Sequence, residues 1–211
     1  MIIRQEEPRD WRAAEELTRE AFWNVYHPGA TEHYILHRFR SNPAFVPELD
    51  LVMEEEGGRL VGHVMFAKAA LSLPGGGSFP VWTFGPISIR PDCQRRGLGL
   101  RLVRHALEKA RAMGVGALFI EGKIAFYGHA GFDLGSKRNI HYHSEPPDAV
   151  VPYFLVRELV PGYLDGVEGT YHPPRGYYVA IEEPEAFAAY DATFPPREKK
   201  VLPGQLAPPV M

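Results

Sequence analysis

Apolar and polar positions change their spacing several times along this chain, and each change marks an element. Met1 to Arg4 is a short apolar run suited to a first strand. Glu6-Glu7-Pro8 follows, with acidic residues and a proline where a helix N-terminus favours them. Trp11, Ala14, Leu17, Ala21 and Phe22 recur at helical spacing and predict an amphipathic helix ending near Trp23. Tyr34, Ile35 and Phe39 mark a second helix from Thr31 to Arg40, stopped at Asn42-Pro43. The runs Leu49–Glu55 and Arg59–Leu73, split by Gly57-Gly58, read as a β-hairpin. Gly75-Gly76-Gly77 sets off a third antiparallel strand, Phe79–Ile89.

The period then becomes helical. Leu98, Leu102, Val103, Ala106, Leu107, Ala110 and Met113 share one face, opposite Arg101, Arg104, Glu108 and Arg111, and Gly114 ends the helix. Val115–Ile120 is continuously apolar, as expected of a strand buried on both faces in a parallel pairing. A short helix over Ile124–His129, a turn at Gly131, and strands over Asn139–His143 and Tyr153–Glu158 complete the sheet. These elements predict an α/β (α+β) fold: a mixed, mostly antiparallel central sheet with one βαβ crossover over Phe84–Ile120. No internal repeat is visible. One domain over residues 1–160 is expected, followed by an extension over 161–211 with a Pro-rich tail, Pro195-Pro196 through Pro208-Pro209.

Composition narrows the function. The 211 residues are 45% hydrophobic and 23% charged, enough to bury a sizeable core. A net charge of -3 supplies no cationic field for nucleic acid or an anionic membrane. The arginine face of the Leu98–Met113 helix, diluted by Glu108, reads as solvated. The single Cys93 permits no internal disulfide, which fits a reducing cytoplasm. The N-terminus lacks a secretory pattern, and no run approaches ~18 consecutive apolar residues, so no membrane span is expected.

The chemistry concentrates in Arg90-Pro91-Asp92-Cys93-Gln94-Arg95-Arg96-Gly97-Leu98-Gly99. Two glycines one residue apart at a helix start let a ligand approach the backbone, and the free amides there suit phosphate. A dinucleotide fingerprint would need glycine where Leu102 stands, and the Gly-Lys-Ser/Thr of a P-loop is absent. Taken alone, the turn reads equally well as a structural helix start with solvated arginines.

Two segments together carry a family resemblance. Gly85-Pro86-Ile87-Ser88-Ile89-x-Pro91 with Gln94-Arg95-Arg96-Gly97-Leu98-Gly99, followed by Ala125-Phe126-Tyr127-Gly128-His129-Ala130-Gly131-Phe132, resembles the GCN5-related N-acetyltransferases, and among them the YhbS-like bacterial branch. The resemblance implies acetyl-CoA as co-substrate and an N-acetyltransferase fold and activity. It implies that Ile87, Ser88 and Ile89 hold the pantetheine arm, beside a strand break at Gly85-Pro86. The amides of Gln94, Arg95, Arg96, Gly97, Leu98, Gly99 and Leu100 would cradle the pyrophosphate, with Arg95 or Arg96 on a phosphate. Phe126 would pack against the cofactor. A main-chain N–H near Ile89 would serve the oxyanion, and Tyr127 would protonate the leaving thiolate.

The general base is less defined. Glu121, just past a strand's carboxyl end, is the candidate; the same residue also reads as a solvated carboxylate or as one that recognises a cationic acceptor. His63 and Glu54 lie on strands whose facing the pattern does not fix. Cys93 reads as incidental to direct transfer. No metal site is expected: His33/His37 and His141/His143 are spaced as pairs without a third ligand, and read as exposed structural histidines. The expected partner is a small-molecule or peptide amine, with a second copy of the chain as a further candidate. Trp23, Tyr26, Tyr34, Tyr171, Tyr177 and Tyr178 are open between an acceptor pocket and core. The competing reading is a non-catalytic acyl-CoA-binding regulatory or interaction module, suggested by the Pro-rich end.

Overall fold

Hairpin pairing builds the first half of the sheet in sequence order. In the computed structural model, which describes residues 1–206, β1 is Ile2–Gln5, β2 is Leu51–Glu54, β3 is Leu60–Ser72 and β4 is Ser78–Ile89. Each pairs antiparallel with the next. Between β1 and β2 the chain makes two helices, α1 (Trp11–Phe22) and α2 (Glu32–Phe39). Glu6-Glu7-Pro8 opens only a short 3-10 turn over Pro8–Asp10 before α1 begins.

The helical-period segment forms α3, Leu98–Ala112, and returns the chain to β5, Ala117–Glu121, parallel to β4. The expected strand is therefore displaced so that it ends on Glu121, and its second neighbour is antiparallel. After it come α4 (Ile124–Tyr127), β6 (Asp133–Leu134), β7 (Ile140–Tyr142) and β8 (Phe154–Glu158). Beyond residue 160 the chain adds β9 (Gly169–Tyr171), α5 (Val179–Glu182) and α6 (Pro184–Asp191). The strand path is β1-β2-β3-β4-β5-β8-β6, with β9 joined to the far end of β3 and β7 parallel to β9.

Alternation along the strands sorts the core onto two faces. On one, Phe84, Leu118 and Ile120 pack under Leu102, Val103 and Ala106 of α3 and under Tyr127. On the other, Ala117 and Phe119 meet Tyr142, Phe154 and Tyr171, while Met65 and Ala67 meet α1 and α2. Full burial of each such apolar side chain contributes about 1.5–3 kcal/mol.

The residues after 160 are packed against the first helices. Asp191 accepts from Arg19 at 2.7 Å and lies 3.1 Å from His33. Phe187, Tyr190 and Phe194 surround the His33 ring at 6.0, 6.0 and 5.0 Å. The expectation that His33 is exposed fails for that reason: α6 covers it completely. His37 does reach solvent, and its Nδ1 lies 3.1 Å from Glu15. Tyr34 and Tyr171 are core residues. Of the Pro-rich tail, the Pro195 carbonyl accepts from Arg19, and Pro208-Pro209 lie outside the described residues. No helix among the described residues is long and apolar enough to cross a membrane.

Candidate functional site

The turn between β4 and α3 is shaped by two left-handed residues. Arg95 has φ 60° and Gly97 has φ 77°. Such a φ costs an ordinary residue about 1–2 kcal/mol, which is why glycine suits position 97. The consequence lies in the amides. From Arg95 to Leu100 no backbone N–H has an acceptor among the described residues; the first to find one is Arg101, on the Gly97 carbonyl at 3.0 Å. Successive free amides at the positive end of a 15-residue helix make an anion nest. Gln94 Nε2 donates to the Ile89 carbonyl at 3.0 Å and ties the turn to the strand end. Arg95 and Arg96 are exposed, whereas Leu98 and Leu100 are half-buried and pack on the core. Cys93 is buried in that core and burial pushes its thiol pKa up, so it is packing rather than a nucleophile.

A gap opens beside this turn. β4 and β5 pair only at Trp82↔Leu118 and Thr83↔Phe119, and β4 runs on to Ile89 with no partner on that side. The β3–β4 register also shifts between Val64 and Phe66, opposite the cis Gly85-Pro86 peptide. Within the free stretch, Ile87 and Ile89 pack towards α3. Ser88 points the other way and donates to Thr18 Oγ1 at 3.0 Å, which leaves only its backbone for a ligand.

Tyr127 and Glu121 approach the gap from opposite faces. The Tyr127 ring sits in an aromatic cage of Phe84, Phe126 and Phe132, with centroids 5.8, 4.8 and 5.8 Å away. Gly122 makes room for it: a Cβ there would lie 2.3 Å from Tyr127 Cε2. Burial, and after it the neighbouring Tyr26, raises the Tyr127 pKa well above the ordinary phenol, so the hydroxyl stays protonated and able to donate. Phe126 rests on the helix start, with Cζ 3.3 Å from where a Gly99 Cβ would be. Glu121 ends β5 two residues beyond the last pair with β4 and shares a face with Ala117 and Phe119. Its carboxylate reaches solvent, yet crowding raises its pKa, and the Tyr142 hydroxyl partly opposes that.

Two features were not foreseen. The Tyr177 hydroxyl donates to the Gly85 carbonyl at 2.8 Å, so a residue far along the chain braces the strand break. No spacing in the sequence signals that contact; the only cue is the Gly176-Tyr177-Tyr178 run itself. The second is a buried polar network behind α1. His63 Nε2 lies 2.7 Å from Asp50, and Arg40 grips Glu6 at 3.0 and 2.9 Å and also Glu15. Glu54 is separate, paired with Arg4 at 2.6 Å. Glu6, Asp50 and His63 offer ligand atoms within 4.8 Å of one another, a triad that the sequence pattern did not reveal. Arg40 already occupies Glu6, while His63 Nδ1 is buried without a hydrogen-bond partner among the described residues.

The chain is similar to known proteins in sequence and fold. A family described as the acetyltransferase (GNAT) domain matches residues 2–135. Escherichia coli (strain K12) YjhQ, named an uncharacterized N-acetyltransferase, is 33% identical over 88 residues, 41% of this chain and 47% of that protein. The chain thus matches about half the length of that curated relative. The structure of Escherichia coli YhbS, a GNAT family N-acetyltransferase in complex with CoA, superposes with a TM-score of 0.70 at 23% identity, over 83% of this chain and 91% of that one. At that identity the likeness is one of fold. A Brucella melitensis GNAT family acetyltransferase in complex with acetyl-CoA gives a TM-score of 0.65 at 26% identity, over 83% of this chain and 97% of that one.

Proposed function

Since the chain belongs to the acetyltransferase (GNAT) family, we propose that it transfers an acetyl group from acetyl-CoA directly to a primary amine. The observation that carries this reading is the gap where β4 leaves β5 beside six free amides, Arg95 to Leu100. Those amides fit the pyrophosphate, and exposed Arg95 and Arg96 fit the other phosphate charges. The unpaired edge of Ile87 to Ile89 fits the two amides of a pantetheine arm, as an added strand would. Bound there, acetyl-CoA supplies an activated thioester.

The chain's own groups then have separate tasks. A main-chain N–H of the free β4 edge, near Ile89, donates to the thioester oxygen as negative charge develops on it. Tyr127, protonated and on the α3 face, gives a proton to the departing sulfur. Glu121, on the opposite face, receives the proton that the amine must lose to expose its lone pair. A single buried cysteine and the donor both suit the cytoplasm.

Purified protein should melt several degrees higher with saturating acetyl-CoA, since a ligand that binds only the folded state stabilises it by mass action. It should also release thiol from acetyl-CoA when challenged with a panel of amines. No melting shift sinks the reading; a shift without thiol release from any amine turns it into an acyl-CoA-binding module.

A further inference from the structure

The arginine face of α3 meets an arginine from the sheet that no spacing in the sequence places there. Arg157, on β8, donates from Nη1 to the Ala130 carbonyl, and Arg104, on α3, donates from Nη2 to the adjoining His129 carbonyl at 3.0 Å. Two guanidinium groups therefore converge on consecutive carbonyls of the turn that follows Tyr127. A Cβ on Gly131 would lie 3.3, 3.4 and 3.5 Å from Cζ, Nε and Nη1 of Arg157. Near-equal distances to three atoms of one plane put the face of the guanidinium over Gly131 and leave its edge for further hydrogen bonds. Arg157 also lines a cleft of about 390 Å³ at the sheet edge, with Gly131, Leu134, Lys137 and Arg138.

The chain does not answer the charge of this cluster. The carboxylates of the cleft are taken: Asp133 pairs with Lys137 and Glu158 with Arg138, each at 2.8 Å. Glu108, between Arg104 and Arg111 on α3, pairs with neither. Burial first, then Arg111 and Arg104, hold the half-buried Arg157 below the ordinary guanidinium pKa, and no carboxylate offsets them among the described residues. A guanidinium does not discharge near neutral pH, so the three stay positive beside one another. Arg104 and Arg157 each spend one N–H on a carbonyl and keep the rest of the donor fork.

The complement of such a cluster is an anion with several acceptor oxygens and more than one charge; a single carboxylate supplies too little charge and a neutral molecule none. An extended nucleic acid fits less well, because Glu108, Asp133 and Glu158 interrupt the basic surface and the net charge is -3. We infer that Arg104, Arg111 and Arg157 form a second anion site whose ligand is a compact, multiply charged phosphate. It is distinct from the amide nest at the start of α3. At a rise of about 1.5 Å per residue, Arg104 stands about 10 Å and Arg111 about 20 Å along the helix from Gly97. The site does not depend on the acetyltransferase reading.

The test titrates sodium tripolyphosphate into the full chain by calorimetry, at constant ionic strength and with CoA in excess to fill the nest. Saturable binding is expected, and acetate should give none. Arg157→Gln and Arg104→Gln should each weaken tripolyphosphate about tenfold, as expected for the loss of one charged hydrogen-bond donor. Arg175→Gln removes the same charge from the C-terminal extension and should leave the affinity unchanged. Binding abolished by CoA gives the arginines to the cofactor and overturns the proposal. Acetate bound as tightly, an affinity unchanged in both Arg157→Gln and Arg104→Gln, or an equal loss in Arg175→Gln also overturns it. So does tighter binding of a single-stranded oligonucleotide, which gives the surface to nucleic acid. Arg104 is exposed, so its variant decides the matter if Arg157→Gln does not fold. A chain that binds no CoA refutes the acetyltransferase reading alone, and the same comparison of variants still decides the anion site.

Discussion

Tyr127 owes its position to what Gly122 lacks. With a Cβ there only 2.3 Å from Cε2, Gly122→Ala must push the ring out of its cage. Tyr127→Phe, by contrast, keeps the ring and its aromatic contacts and removes only the hydroxyl. The phenylalanine variant should therefore stay within about 1 kcal/mol of wild-type stability in a urea titration. Its kcat for thiol release should fall by about 10²-fold if the hydroxyl is the proton donor. Gly122→Ala should lose kcat to a similar degree with a lower melting temperature as well; unchanged kcat in both removes Tyr127 from the chemistry. The Phe126-Tyr127 segment made the tyrosine legible in the sequence. Gly122 was not, because a close approach depends on how α4 folds back over the end of β5, and no local pattern encodes that.

At the scale of elements, the strand break and the helix start act together, and each has its own test. Gly97→Val places a β-branched residue at φ 77°, costing about 1–2 kcal/mol and distorting the amide nest. The acetyl-CoA melting shift should vanish while the apo protein still unfolds cooperatively. Tyr177→Phe deletes the donor to the Gly85 carbonyl and should cost about 1 kcal/mol, read as an earlier urea midpoint with unchanged slope. The hairpins, α3 and β5 were legible because period-2 and helical runs are long there. Pro86 within a strand pattern also pointed to the break. β9 and α5 were not legible: three- and four-residue elements carry too little periodicity. Nor was the packing of α6, whose Phe187 and Tyr190 lie against His33 across more than 150 residues of chain that no local pattern links.

For the whole molecule, the buried groups behind α1 and under α6 set how stability depends on pH. Burial, followed by Asp50, raises the Glu6 pKa to about 8 from an ordinary 4.5. Folded chains therefore keep a proton that unfolded chains release between those values, and stability falls as pH rises through that window. Burial lowers His63 and His33 to about 4 from 6.5. Unfolded chains take up those protons below 6.5 and folded chains do not, so the histidine contribution is complete above 6.5 and is lost as pH falls towards 4. The two histidines outweigh Glu6 on the acid side, and on the alkaline side Glu6 acts together with Asp50 and Glu32, whose carboxyl groups burial also raises. Each group contributes a slope of at most about 1.4 kcal/mol per pH unit, so Glu6 accounts for about 2 kcal/mol or less between pH 6.5 and pH 8. Glu6→Gln substitutes a permanently neutral side chain for the protonated acid. Urea titrations from pH 4 to 8.5 should show the alkaline decline flattened in that variant and the acid decline retained. An alkaline decline of undiminished slope in Glu6→Gln would assign the effect to another group and leave Glu6 ionised against Arg40.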